Sequence, residues 1–183
     1  MRFAEFLRVT VLISAAAASV LALVTVAGAA GNSDQLVVPI GAGWWVAAAL
    51  IGSWLGRRGD TSPPIATLLA SARTQSSLPE LHPGRVVLNR LWPLLVSTVG
   101  AGAVAFLAPQ VPAVASGFAI IWALAWRRQS SAVTAIEDRD GARFYVEQTS
   151  PLRPIRLVRT PGFRASMYEL QSNGRRPEAQ PRA

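Results

Sequence analysis

The chain has no cysteine, no lysine and a single histidine. Without thiols there is no disulfide, no thiolate nucleophile and no cysteine-bound zinc. His82 stands alone in the turn-forming run Leu81-His82-Pro83-Gly84. Metal binding and proton relay need convergent partners, so this residue reads as part of a solvated turn. Also missing are a GxGxxG fingerprint, a Walker loop, HExxH and GxSxG. The fragment Gly41-Ala42-Gly43 lies at the edge of an apolar run and does not follow a soluble strand. No cofactor and no metal are expected.

Charge is scarce where it would matter most. Four apolar blocks, at about 9–30, 37–56, 88–108 and 111–126, carry no ionisable residue in their interiors. Intramembrane enzymes and proton-coupled transporters keep such residues inside their spans because they work there. Each block approaches the ~20 residues that a ~30 Å hydrocarbon core requires at 1.5 Å rise per residue. The pattern is plainest over 37–58, where Trp44 and Trp45 stand near one end, Trp54 near the other, and Arg57-Arg58 close the run. Indole rings favour the headgroup level, and arginine is retained on the inner side of the membrane.

Formal net charge is +8, and all 18 basic residues are arginine. They fall at 2 and 8, at 57, 58, 73, 85 and 90, and from 127 onward, and none lies in the two short connections 31–36 and 109–112. The excess thus follows membrane boundaries, which makes anionic headgroups on the cytoplasmic face the expected partner and excludes nucleic acid. A lysine-free chain rich in Ala, Gly, Val and Arg reads as the product of a GC-rich bacterial genome. The expected location is the bacterial inner (plasma) membrane, multi-pass, with both termini cytoplasmic.

The expected fold is all-α transmembrane: a four-helix membrane bundle of two helical hairpins over 1–128, followed by a small cytoplasmic β-hairpin tail. Met1 to Arg8 reads as an amphipathic start with Arg2 and Arg8 available to phosphate groups. The first block also resembles a secretory signal peptide, with Ala27-Gly28-Ala29 as a cleavage site, but its run exceeds the usual 7–15 residue apolar region, which favours a retained helix. In the second block Ala48, Gly52 and Gly56 form a small-residue stripe suited to close helix packing, within the chain or between copies. In the third, Ser97, Ala101 and Ala105 repeat the device. The inner loop 57–87 contains Ser62-Pro63 in the form of a helix start, and Ile65, Leu68, Leu69 and Ala72 follow at i, i+3, i+4 and i+7. A short helix over 63–73 is expected to lie on the inner leaflet. The fourth block is short, about 24 Å at 1.5 Å per residue, so it must thin the bilayer, oligomerise, or be shielded by its neighbours. Arg2–Ser14 and Arg85–Ser97 are similar in form, which fits either an internal duplication or the common grammar of helical hairpins.

Over 129–170, Val133–Asp138 and Ala142–Gln148 read as strands joined across Asp140-Gly141, with Val133, Ala135, Phe144 and Val146 on one apolar face. That face needs cover from a third strand, which Ile155–Val158 could supply, from the inner loop, from the membrane surface or from a partner. Glu137, Asp138 and Asp140 then read as turn residues. Arg153, Arg156 and Arg159 recur every third residue, with Arg164 close behind, and form a candidate site for anionic lipid or an acidic partner. Residues 171–183 are polar and expected to be disordered.

Three functions are compatible with these features. The first is a non-catalytic accessory or scaffold subunit that docks a protein partner or anionic lipid through its tail. The second is a small homo-oligomeric transporter or channel for a neutral or apolar solute, lined by Ser14, Thr25, Ser97, Thr98 and Ser116. The third is an enzyme on a lipid substrate, with reactive groups at the inner interface such as Asp60, Glu80 and His82.

Overall fold

The computed structural model describes residues 1–32, 36–57, 59, 61–74, 83–147 and 155–161. Six helices and three strands follow in order: α1 (Phe3–Asn32), α2 (Val37–Leu55), α3 (Pro63–Ala70), β1 (Arg73–Thr74), α4 (Pro83–Val104), α5 (Gln110–Trp126), α6 (Gln129–Asp140), β2 (Ala142–Val146) and β3 (Leu157–Pro161). Three helices are long and apolar enough to cross a membrane, within Phe3–Gly31, Val37–Leu55 and Gly84–Val104, and only 22%, 22% and 11% of the most apolar stretch of each is buried in the protein. Apolar side chains that face outward in such numbers need lipid as their solvent. Leu12, Leu23, Leu50 and Val99 are among them.

Proline sets where the later helices begin. Pro39, Pro63, Pro83 and Pro112 each lie in a first turn, where the missing N–H has no intrahelical acceptor to lose. The start at Pro83 lengthens α4 beyond the expected 88–108 at its basic end, and the helix stops at Val104. Along the spans hydroxyls bond back to their own helices: Thr10 to the Phe6 carbonyl at 2.8 Å and Thr25 to the Leu21 carbonyl at 2.8 Å. That satisfies them in a medium that offers no water.

A shorter apolar helix of 17 residues, α5, lies between α1 and α2. Its buried positions are Pro112, Ala113, Ser116, Gly117 and Ala123, and their small size admits neighbouring backbones. From α2, Ala48 is fully buried, and a Cβ added at Gly52 would meet the Leu124 Cβ at 2.9 Å and the Ile121 carbonyl oxygen at 3.0 Å. A Cβ at Gly56 would overlap the Leu124 carbonyl oxygen. The stripe thus packs within the chain. At the other end the Trp44 indole lies over Gly117 and donates to the Val114 carbonyl at 3.2 Å, while Trp45 Nε1 donates to the Ala113 carbonyl at 2.9 Å. The indoles cover the end of α5 that its length leaves short. Helix α4 packs mainly on α1, and the α2–α4 pair makes no contact comparable with α1–α5 among the described residues. The two halves are therefore not equivalent in packing.

The largest departure from the sequence reading follows α5. Arg127 and Arg128 keep right-handed helical angles, so the chain runs on into α6, and Val133–Asp138 is helical instead of a strand. Gly141, at φ 59°, closes α6 as a left-handed C-cap and donates its N–H to the Glu137 carbonyl. The Asp-Gly pair therefore ends a helix where a hairpin turn was expected, since both structures need positive φ. The hairpin forms one element later. β2 pairs antiparallel with β3, Phe144 opposite Arg159 and Tyr145 opposite Val158, and β3 pairs in parallel with β1 from the inner loop. Arg2 bridges Tyr145, and Val146 donates its N–H to the Met1 carbonyl at 3.2 Å, so the chain start borders the free side of β2.

A second core holds this cap together: Phe3, Phe6 and Leu7 of α1, Ile65 of α3, Val86 of α4, Val133 of α6, Phe144 and Val146 of β2, and Leu157 of β3. Leu68, Leu69 and Ala72 also pack on it, so the apolar stripe of α3 faces the cap core and not a leaflet. Ser62 holds the expected N-cap position, but its hydroxyl makes no cap bond; its N–H donates to Gln129 Oε1 at 3.0 Å. Arg128 Nη1 donates to the Arg57 carbonyl at 3.1 Å, which ties the basic ends of α2 and α5.

Gly52→Val and Gly56→Val should each lower stability in detergent by about 1–3 kcal/mol through overpacking. Gly43→Ala, where a Cβ meets nothing within 4 Å, should leave the thermal midpoint unchanged or raise it; equal losses at all three positions would contradict the α2–α5 contact. Phe144→Ala should cost the cap about 3–5 kcal/mol. Hydrogen exchange would show protection lost in β2 and β3 but kept in α2, and loss in both would mean that cap and spans unfold as one unit.

Candidate functional site

Where α1 and α6 run side by side at the basic end, two polar stripes border one groove. Arg2, Ala4, Glu5 and Arg8 line it from the first turns of α1, and Arg127, Ser130, Ser131, Thr134 and Glu137 from the α5–α6 helix; its volume is about 550 Å³. Arg127, Ser130, Ser131 and Thr134 stand at i, i+3, i+4 and i+7, one face of a helix. Arg8 and Arg127 are exposed, and among the described residues neither they nor Arg2 has a carboxylate within ion-pairing distance. Guanidinium presents five N–H donors and each hydroxyl one more, a set suited to an oxyanion. Thr134 directs its hydroxyl to the Ser130 carbonyl at 3.0 Å.

Glu137 lies at the base of the groove, 3% exposed. One carboxylate oxygen accepts the Phe144 N–H at 2.9 Å, and the other lies 3.8 Å from Arg143 Nη1. Burial pushes its carboxyl above the ordinary range, against the opposing pulls of the Phe144 N–H and Arg2. The side chain thus ties α6 to β2 across the floor of the site. At the tip of α6, Arg139 Nε meets Asp140 at 2.9 Å on the open surface, which holds the Asp140 carboxyl below its ordinary value.

The arginines singled out by their spacing are not gathered here. Arg153 and Arg164 lie outside the described residues, as do Asp60, Glu80 and His82. Arg156 and Arg159 are exposed, and a separation of three along extended chain places them on opposite faces. Arg159 borders a separate hollow of about 300 Å³ with Thr74, Arg139 and Asp140. Of the hydroxyls considered for a solute path, Ser14, Thr25 and Ser116 are buried. Ser97 and Thr98 donate to the Leu94 carbonyl of their own helix at 2.9 and 2.7 Å.

Arg2 and Arg8 were visible in the sequence as phosphate-facing residues. Their counterparts on α6 were not, because Val133–Asp138 read as a strand and the polar stripe over 127–134 shows only at helical spacing. Among the described residues no group of three or more His, Asp or Glu could hold a metal ion. No family model, no curated protein and no solved structure matches the chain.

Glu137 gives the cap a signed pH dependence. The folded protein holds this proton more tightly than the unfolded chain, whose carboxyl titrates near 4.5. Its contribution is therefore full below that pH and is lost as pH rises through the raised folded value. Glu137→Gln keeps an acceptor for the Phe144 N–H and should flatten the dependence of the thermal midpoint on pH above about 4.5. A variant that follows pH as steeply as its parent would assign the dependence to other groups.

Proposed function

We propose that the chain is a non-catalytic integral protein of a bacterial inner membrane, with both termini cytoplasmic. In this reading α1, α2, α4 and α5 all span. It acts as an accessory or scaffold subunit whose arginine-rich cap engages a protein partner or anionic headgroups. The observation that carries the reading is the division of the chain into two kinds of surface. The spans are uncharged inside and face lipid, whereas the cap draws on the start of α1, α3, the start of α4, the end of α5, α6, β2 and β3, toward the ends where the arginines gather. Positive residues are retained on the cytoplasmic side, which sets the orientation.

The cap consumes its own apolar face internally, so a partner would meet charge and sheet edge. The candidates for that contact are Arg153, Arg156, Arg159 and Arg164 together with the β1 edge. The protein, extracted from its host in mild detergent and weighed by native mass spectrometry, should carry a second polypeptide at fixed stoichiometry. Replacing the four arginines with glutamine should lower that recovery by more than about tenfold, at ~1 kcal/mol each, and leave insertion intact. Unchanged recovery would refute the docking role, and a homo-oligomer alone would turn attention to solute flux.

A further inference from the structure

We propose that the groove between α1 and α6 binds the phosphodiester of an anionic glycerophospholipid, through Arg2, Arg8 and Arg127 with the hydroxyls of Ser130 and Ser131. This deepens the reading above and rests on its orientation, with the basic end at the inner leaflet.

Depth is the first argument. Arg8 immediately precedes the apolar block of α1, and Arg127 immediately follows Trp126 at the end of α5, so the groove opens at the boundary where headgroups lie. One turn into the block, on the same face as Arg8, Leu12 is 60% exposed. A headgroup held at Arg8 would leave its acyl chains along that face. A site for a free solute has no need of such a position.

Charge is the second. Three guanidiniums face two carboxylates, Glu5 and Glu137, and one Glu137 oxygen already accepts the Phe144 N–H. With Glu137 engaged by Arg143 as well, the lining stays net positive, which suits a phosphodiester. The hydroxyls, on the face of α6 next to the arginines, add neutral donors for the remaining phosphate oxygens or a headgroup alcohol.

The test uses the full-length protein in detergent, offered phosphatidylglycerol or phosphatidylcholine at equal concentration and read by native mass spectrometry. Phosphatidylglycerol should be retained in preference. The Arg8→Gln, Arg127→Gln double variant should retain it about thirtyfold less, at about fivefold per arginine near an anionic surface. Ser131→Glu leaves every arginine in place and adds a carboxylate to the groove; it should also weaken retention, which keeps the test decisive if the double variant folds poorly. Arg139→Gln, at the exposed tip of α6 outside the groove, should match the parent. Equal retention of both lipids, undiminished retention by the variants, or displacement of the lipid by millimolar inorganic phosphate would overturn the proposal. Partner recovery is scored separately: lipid lost with partner kept marks the groove variants, and partner lost with lipid kept counts against the scaffold reading alone.

Discussion

The position of α5 depends on backbone approaching backbone. In lipid there is no hydrophobic gain from bringing two apolar helices together, so close van der Waals contact has to hold them. Gly52 and Gly56 provide it on α2, Gly117 admits the Trp44 ring, and Gly28 of α1 sits against the Ala105 carbonyl where α4 gives way to α5. A helix of 17 residues, ~25 Å at 1.5 Å rise, is thereby held between longer ones with its indole-covered end shielded. Its other end is equally constrained, because α5 runs on into α6. Where α5 sits decides where Val133 and Glu137 arrive, and they in turn receive β2.

The cap built on that extension is a joint product of distant segments. Six elements contribute to its core of nine residues, and α1 alone contributes Phe3, Phe6 and Leu7. Without the start of α1, Phe144, Val146 and Leu157 would lose that cover. The same core explains why the tail is not a free arm. Its sheet is bounded by Met1 and Arg2 on one side and by β1 on the other, so what it offers outward is charge.

The spans were legible because a bilayer imposes its demand on composition: about twenty apolar residues in a row have few alternatives. Segment 133–138 was not, because Val-Thr-Ala-Ile-Glu-Asp suits a strand by its β-branched residues and a helix by placing Val133, Ile136 and Glu137 at i, i+3 and i+4. What precedes it breaks the tie, since α5 arrives already helical and Arg127-Arg128 do nothing to stop it. Even so, Val133, Phe144 and Val146 share one core as expected, while Ala135, assigned to the same face on strand spacing, is exposed. Local apolar content survived the wrong period; the facing did not.

The same distinction separates the two arginine sets. A three-residue spacing carries no meaning until the backbone is known, and along extended chain it parts Arg156 from Arg159. Arg2 and Arg8 meet Arg127 only because α1 and α6 pack together. The sequence by itself determined which segments lie in lipid and at which ends the positive charge gathers, because transfer from water to hydrocarbon depends on the composition of each segment alone. Only the tertiary structure decided that α5 lies between α1 and α2, that α3 turns Ile65 into the cap, and that three arginines from opposite ends of the chain line one groove. Those outcomes rest on contacts between residues far apart in sequence, whose energies no local pattern records.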